Sequence, residues 1–151
     1  MTRGSDGSDM QTLTALDQTL IDLINLGLLA RQAQWSVVGP GFRELHALLD
    51  ELAHLAMGAS DSVAERAITL GHHPDGRAAT VARENTLPSL DVGPLRDTAV
   101  VAAFTAILDT VITRLLAATD AASDDLVTGD LLIGITGALQ RHARMIRAYS
   151  G

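Results

Sequence analysis

From Thr12 onward the chain repeats apolar residues at alternating steps of three and four, at Leu13, Leu16, Leu20, Leu23 and Gly27, which is the period of one helical face. The same stripe runs on into polar Arg31 and Gln34, beside Trp35. Gly39, Pro40 and Gly41 break the pattern, so the first helix is expected to stop near Val37. A break this short returns the next helix, Phe42 to about Leu70, antiparallel to the first. Gly71 is placed to cap it. Residues 72 to 97, with His72, His73, Pro74, Gly76, Pro88, Gly93 and Pro94, hold no sustained period beyond a short turn around Thr80 to Glu84, and read as a long crossover. A third helix is expected from about Thr98 to Ala118, with Val101, Phe104, Ile107 or Leu108, Val111 and Leu115 on its apolar face. The polar turn Asp120 to Gly129 leads to a fourth, about Asp130 to Tyr149, with the stripe Leu131, Ile135, Ala138, His142, Met145 and Tyr149. Asp130 would lie in its first turn, where a carboxylate favours the helix dipole.

Four helices joined by short, long and short connections predict an all-α fold: a four-helix bundle with a long crossover between helices two and three, which then run parallel. Residues 11–151 form this single domain. Residues 1–10, rich in Gly, Ser and Asp, are expected to be a disordered N-terminal tail. The hydrophobic content of 47%, heavy in Ala and Leu and poor in aromatics, supports helix over sheet. No solenoid repeat is present.

Charge and cysteine content narrow the function classes. The net charge is −7, and all 11 bases are Arg, since the chain contains no Lys. An acidic protein without a basic arm is repelled by nucleic acid, so direct DNA binding is disfavoured. The absence of cysteine excludes disulfides and thiolate metal sites and fits a reducing cytoplasm. Charges or glycines interrupt the apolar runs, and the first ten residues lack the organisation of a signal peptide, so the expectation is a cytoplasmic protein with no membrane span.

The candidate chemistry is concentrated on the second helix. His46, Asp50, His54, Met57, Asp61 and Glu65 follow at steps of four, four, three, four and four, one polar face where a bundle helix should be apolar. His46 and Glu65 stand roughly 28 Å apart along such a helix, so one chain cannot wrap them round a common ion. Two copies set antiparallel about a two-fold axis between positions 55 and 56 put His46 opposite Glu65 and Asp50 opposite Asp61. That pairing yields two equivalent clusters, each with a His and an Asp from one chain and an Asp and a Glu from its partner. The competing reading is a salt-bridge and hydrogen-bond network at a dimer interface, although so many carboxylates are costly to bury without cations or protons.

Several runs resemble the Dps family of mini-ferritins: Trp35-Ser36-Val37-x-Gly39-Pro40-x-Phe42, Leu45-His46, Asp50, Asp61 with Ala64-Glu65-Arg66, and Leu70-Gly71. The likeness continues through Gly76 to Thr80, Val127-Thr128-x-Asp130-Leu131-Leu132 and His142-x-x-Met145. The resemblance implies a ferritin-like bundle assembled as a dodecameric homo-oligomeric shell. It further implies that the shell oxidises Fe²⁺ between two-fold-related subunits, stores ferric iron and protects against oxidative stress. The ferroxidase site would take His46 and Asp50 from one chain and Asp61 and Glu65 from the other, with iron as cargo and zinc able to replace it. It also implies a DNA-shielding role, which the acidic charge disfavours. The family usually carries a second histidine just before the Trp, and here that position is Gln34, a weak neutral oxygen donor. A shell with weak or lost ferroxidase activity is the alternative this substitution raises.

Other residues keep two readings. His54, one turn beyond Asp50, either supplies a ligand or packs at the two-fold interface. Trp35 is core packing, an electron donor beside a diiron site, or both. Asp124, Asp125 and Asp130 would, by the resemblance, line the three-fold pores that admit Fe²⁺, or else form an ordinary acidic turn. His142 reads as a core histidine, and His72 and His73 as an exposed loop pair without a role.

Overall fold

The computed structural model describes residues 5–149. The elements in chain order are α1 (Ser5–Ser36), β1 (Val37–Val38), α2 (Phe42–Thr69), α3 (Ala78–Glu84), β2 (Leu95–Arg96), α4 (Asp97–Ala121) and α5 (Leu126–Ala148). The four long helices form the expected bundle, and α3 is the short turn foreseen in the crossover. α1 packs on α2 and α4, while α5 packs on α4 and α2. β1 and β2 pair in parallel, Val37 with Leu95 and Val38 with Arg96, so the end of α1 and the start of α4 meet at one end of the bundle. α4 therefore runs parallel to α2.

The helix ends follow local chemistry. Gly71 has φ +82°, its N–H donates to Ile68 and that of His72 donates to Ala67, both at 2.9 Å, which is the Schellman pattern. α5 starts earlier than the expected Asp130, because Asp125 caps it: its side chain accepts from the Thr128 N–H and from Thr128 Oγ1, at 3.2 and 2.6 Å. α1 likewise begins at Ser5, so residues 5–10 of the expected disordered tail are helical; residues 1–4 lie outside the described residues.

Leu16, Leu23, Leu26, Leu45, Leu49, Leu52, Phe104, Ile107, Leu108, Leu115, Leu132 and Leu139 fill the core. On α5 the buried stripe is Leu132, Ile135, Leu139, Ala143 and Ile146, one position round from the expected Leu131, Ala138, His142, Met145 and Tyr149, all of which are half-buried. α1 and α4 are long and apolar enough to cross a membrane by length and composition. Their large apolar side chains nevertheless meet each other and those of α2 and α5 in this core, so both are bundle core helices.

Small residues bring α1 and α2 close together. A Cβ on Gly27 would lie 3.6 Å from the Ala56 Cβ and 3.8 Å from the Ala53 carbonyl, and Ala30 and Ala33 are fully buried. That approach lets side chains from the end of α1 reach those at the start of α2.

Candidate metal centre

The close packing places Gln34, 8% exposed, against the first turns of α2. His46 Nδ1 lies 3.1 Å from the Gln34 backbone carbonyl, which can only accept, so Nδ1 carries the proton. His46 Nε2 is left with its lone pair, as a metal ligand requires. The Gln34 amide nitrogen stands 3.4 Å from that atom and donates to Asp50 Oδ1 at 3.2 Å. Phe42 packs against the imidazole, with ring centroids 5.1 Å apart at a tilt of 37°.

Arg31 completes the group. Its Nη1 donates to Asp50 Oδ1 at 2.8 Å and also to Gln34 Oε1. The guanidinium fixes the orientation of the Gln34 amide, since the oxygen must face the cation and the nitrogen must face Asp50 and His46. Hydrogen bonding from Arg31 is the chief cause holding the Asp50 carboxyl below its usual range. Partial desolvation opposes it, and the Gln34 amide and nearby His54 reinforce it. His54 is itself mostly exposed and bonds through Nδ1 to the Asp50 backbone carbonyl at 2.8 Å, with its Nδ1 3.6 Å from the Asp50 carboxylate.

Of the residues singled out in the sequence, the fold brings Gln34, His46, Asp50 and His54 together and leaves Asp61 and Glu65 further along α2. Both are exposed, and neither side chain makes a hydrogen bond or ion pair among the described residues. Among those residues no three His, Asp or Glu side chains converge to hold a metal within one chain. Each chain thus carries a histidine and carboxylate half and, separately, a carboxylate pair.

Trp35 is 71% exposed, which rules out core packing within the chain. It follows Gln34 directly in the chain, and Leu28, Val38, Phe42 and Met57 on α1, β1 and α2 are further exposed apolar side chains. In the acidic turn Asp125 has a structural role within the chain. Arg66 Nη2 lies 3.0 Å from both oxygens of Asp125 while its Nε donates to Thr128 Oγ1 at 3.0 Å, so Asp125 is a cap and ion-pair partner. Asp124 accepts from Ser8 Oγ at 2.7 Å, and Asp130 is exposed. His72, read as idle, bonds Asp17 of α1 at 2.9 Å. His142 is half-buried, its Nδ1 has no hydrogen-bond partner, and burial lowers its pKa, with Glu51 opposing and Arg141 adding. The role of Arg31 went unread in the sequence, although its position three residues before Gln34 on one stripe was the available signal.

The family model for the ferritin-like domain matches residues 13–151. The DNA protection during starvation protein of Mycolicibacterium smegmatis is 33% identical over 152 aligned positions, covering 97% of this chain and 78% of that protein. Dps92 from Deinococcus radiodurans superposes with a TM-score of 0.90 at 31% identity, over 93% of this chain and 86% of the other. Dps from Microbacterium arborescens, solved in its high iron form, gives a TM-score of 0.88 at 25% identity, over 94% and 93%. Together with a four-helix bundle crossed over between α2 and α4, these similarities place the chain in the Dps family of ferritin-like proteins.

Proposed function

We propose that this protein is an iron-binding mini-ferritin whose chains assemble as a hollow homo-oligomeric shell, a dodecamer by the family resemblance, in the cytoplasm. The observation that carries the reading is the half-site: a histidine with a free Nε2 lone pair and a carboxylate, His46 and Asp50, held on either side of the Gln34 amide at the start of α2, and two unpaired carboxylates, Asp61 and Glu65, further along the same helix. Antiparallel pairing of α2 with its copy brings the two halves together. His46 would hold the ferrous ion, and the hard oxygens of Asp50, Asp61 and Glu65 favour the ferric product. Peroxide is reduced to water by two electrons from two Fe²⁺ ions and two protons, and the ferric product is stored inside the shell. Asp124 and Asp130 remain candidates for a cation entry path, with Asp125 neutralised by Arg66. The exposed apolar side chains of α1 and α2, Trp35 among them, suit a subunit contact, and Trp35, next to Gln34 in the chain, suits an electron donor.

A second reading, a shell with weak or lost ferroxidase activity, is favoured by Gln34, whose amide takes the place of an imidazole. The name of the mycobacterial relative refers to DNA protection. For this chain the net charge of −7 without any Lys argues against tight DNA binding, which a gel-shift at low salt would detect. The principal test is anaerobic addition of Fe²⁺ followed by peroxide, monitored by ferric absorbance. Oxidation faster than in a His46→Ala, Asp50→Ala double variant is expected; equal rates would remove the ferroxidase reading. A solution mass far above the 15.9 kDa chain is the companion result.

A further inference from the structure

Away from the β1–β2 ladder, α1 and α4 meet through short side chains. Ala15 of α1 and Ala117 and Ala118 of α4 leave a cleft of about 880 Å³ between the helices, a volume typical of small-molecule sites. Asp22, its side chain 9% exposed, and Thr19, 5% exposed, form part of the wall. Arg114 donates to Asp22 Oδ1 at 2.8 Å and to Thr86 Oγ1 at 2.9 Å, which fixes the carboxylate and leaves Asp22 Oδ2 without a hydrogen bond among the described residues. The Thr19 hydroxyl makes none either. The only buried side-chain polar atom there that is sealed from solvent without a partner is His142 Nδ1, so both of these oxygens open into the cleft.

We propose that this cleft binds a linear aliphatic diamine, with one ammonium on Asp22 Oδ2 and the Thr19 hydroxyl, the alkyl chain along the alanines, and the second ammonium at the rim with Asp17 and Glu84. The site shares no residue with the metal centre and does not rest on it. Three carboxylates, Asp17, Asp22 and Glu84, face one guanidinium in the cleft, so it favours a cation. Burial is the chief cause lifting the Asp22 carboxyl above its ordinary value, with Arg114 opposing, so a single guanidinium leaves the buried charge under-compensated. A bare metal ion finds too few ligands, since no three His, Asp or Glu side chains converge among the described residues. An ammonium brings three donors to oxygens that lack them, and its chain covers alanine surface. Asp17, steadied by His72 at 2.9 Å, and Glu84 are half-exposed at 45% and 53%, within reach of a second charge that stays near water.

Isothermal titration calorimetry of the assembled full-length protein with 1,4-diaminobutane tests the site, in about 0.15 M salt so that diffuse attraction to the acidic surface is screened. Saturable binding of one diamine per chain is expected. Asp22→Asn should weaken it about tenfold or more. Ala117→Leu, at an exposed position, fills the cleft without altering charge and should abolish binding; it carries the test alone if Asp22→Asn fails to assemble. Glu84→Gln should weaken the diamine about two- to threefold and leave n-butylamine unchanged, since only the diamine reaches the rim. Absence of saturable binding would overturn the proposal. So would an affinity that Asp22→Asn and Ala117→Leu both leave unchanged, or equal competition by Mg²⁺ at matched concentration, either of which marks a general cation surface.

Discussion

The Gly41 backbone N–H donates to Asp97 Oδ2 at 2.9 Å, tying the start of α2 to the start of α4. The Tyr149 hydroxyl donates to the same oxygen at 3.0 Å and the Thr98 N–H to Oδ1 at 2.8 Å, so one buried carboxylate gathers the start of α2, the start of α4 and the end of α5. Gly39 sits at φ +119° with the Asp97 carboxylate 2.9 Å from where a Cβ would stand.

A side chain at position 41 has no room here. The Cβ of Gly41→Ala would fall 1.8 Å from the Tyr149 hydroxyl, so the ring must leave its place beside Asp97. The substitution should cost about 1–3 kcal/mol in urea unfolding. Combined with Tyr149→Ala the two losses should be clearly less than additive, because both remove the same contact.

The Asp97 junction should make the fold acid-sensitive. The Gly41 N–H is the chief cause holding the Asp97 carboxyl below its usual range, with partial desolvation opposing and the Tyr149 hydroxyl and Thr98 N–H adding. A carboxylate depressed in the folded state contributes its full stability above the ordinary carboxylate range, and that stability is lost as pH falls through this range toward the folded value. The urea midpoint of the wild type should therefore fall more between pH 7 and pH 3 than that of Asp97→Asn. Equal falls in the two proteins would show that the junction does not titrate this way.

Two apolar residues should separate folding from assembly. Leu49→Ala empties a fully buried site and should cost about 2–5 kcal/mol of stability. Trp35→Ala, at a site 71% exposed within the chain, should leave helix content unchanged while shifting the mass measured by light scattering toward smaller species. An unchanged oligomer would remove Trp35 from the subunit contact.

Restoring the imidazole should strengthen the site. Gln34→His replaces a neutral amide next to His46 Nε2 with a nitrogen ligand and removes the acceptor that steadies Arg31. Zn²⁺ affinity should rise on the order of tenfold or more. No gain would mean that position 34 does not reach the bound ion.

Much of this was legible in the chain, for reasons that differ from residue to residue. The breakers Gly39, Pro40, Gly41 and Gly71 act locally, so the ends of α2 could be read directly. On α5, apolar residues stand side by side at Leu131-Leu132 and Ala138-Leu139, so the period fits two stripes about 100° apart and only packing against α2 and α4 selects one. The start of α5 was misplaced because Asp124, Asp125 and Asp130 all suit a helix N-terminus, and the contact from Arg66, distant in sequence, singles out Asp125. His46 and Asp50 were legible together because they stand one helical turn apart on α2, and Gln34 joined them only through the family resemblance. The pairing of Arg31 with Asp50 was not, since it depends on how closely the glycine and alanines of α1 let that helix approach α2.

The two-residue ladder of Val37 with Leu95 and Val38 with Arg96 also sets how the chain acquires its shape. α1 with α2 and α4 with α5 are each joined by short turns, so each pair can collapse early as a local unit. The ladder forms only when a loop containing all of α2 and the crossover has closed, which makes joining the two hairpins the slow, non-local event. Weakening the ladder should slow refolding in stopped-flow traces while the early gain of helix signal persists.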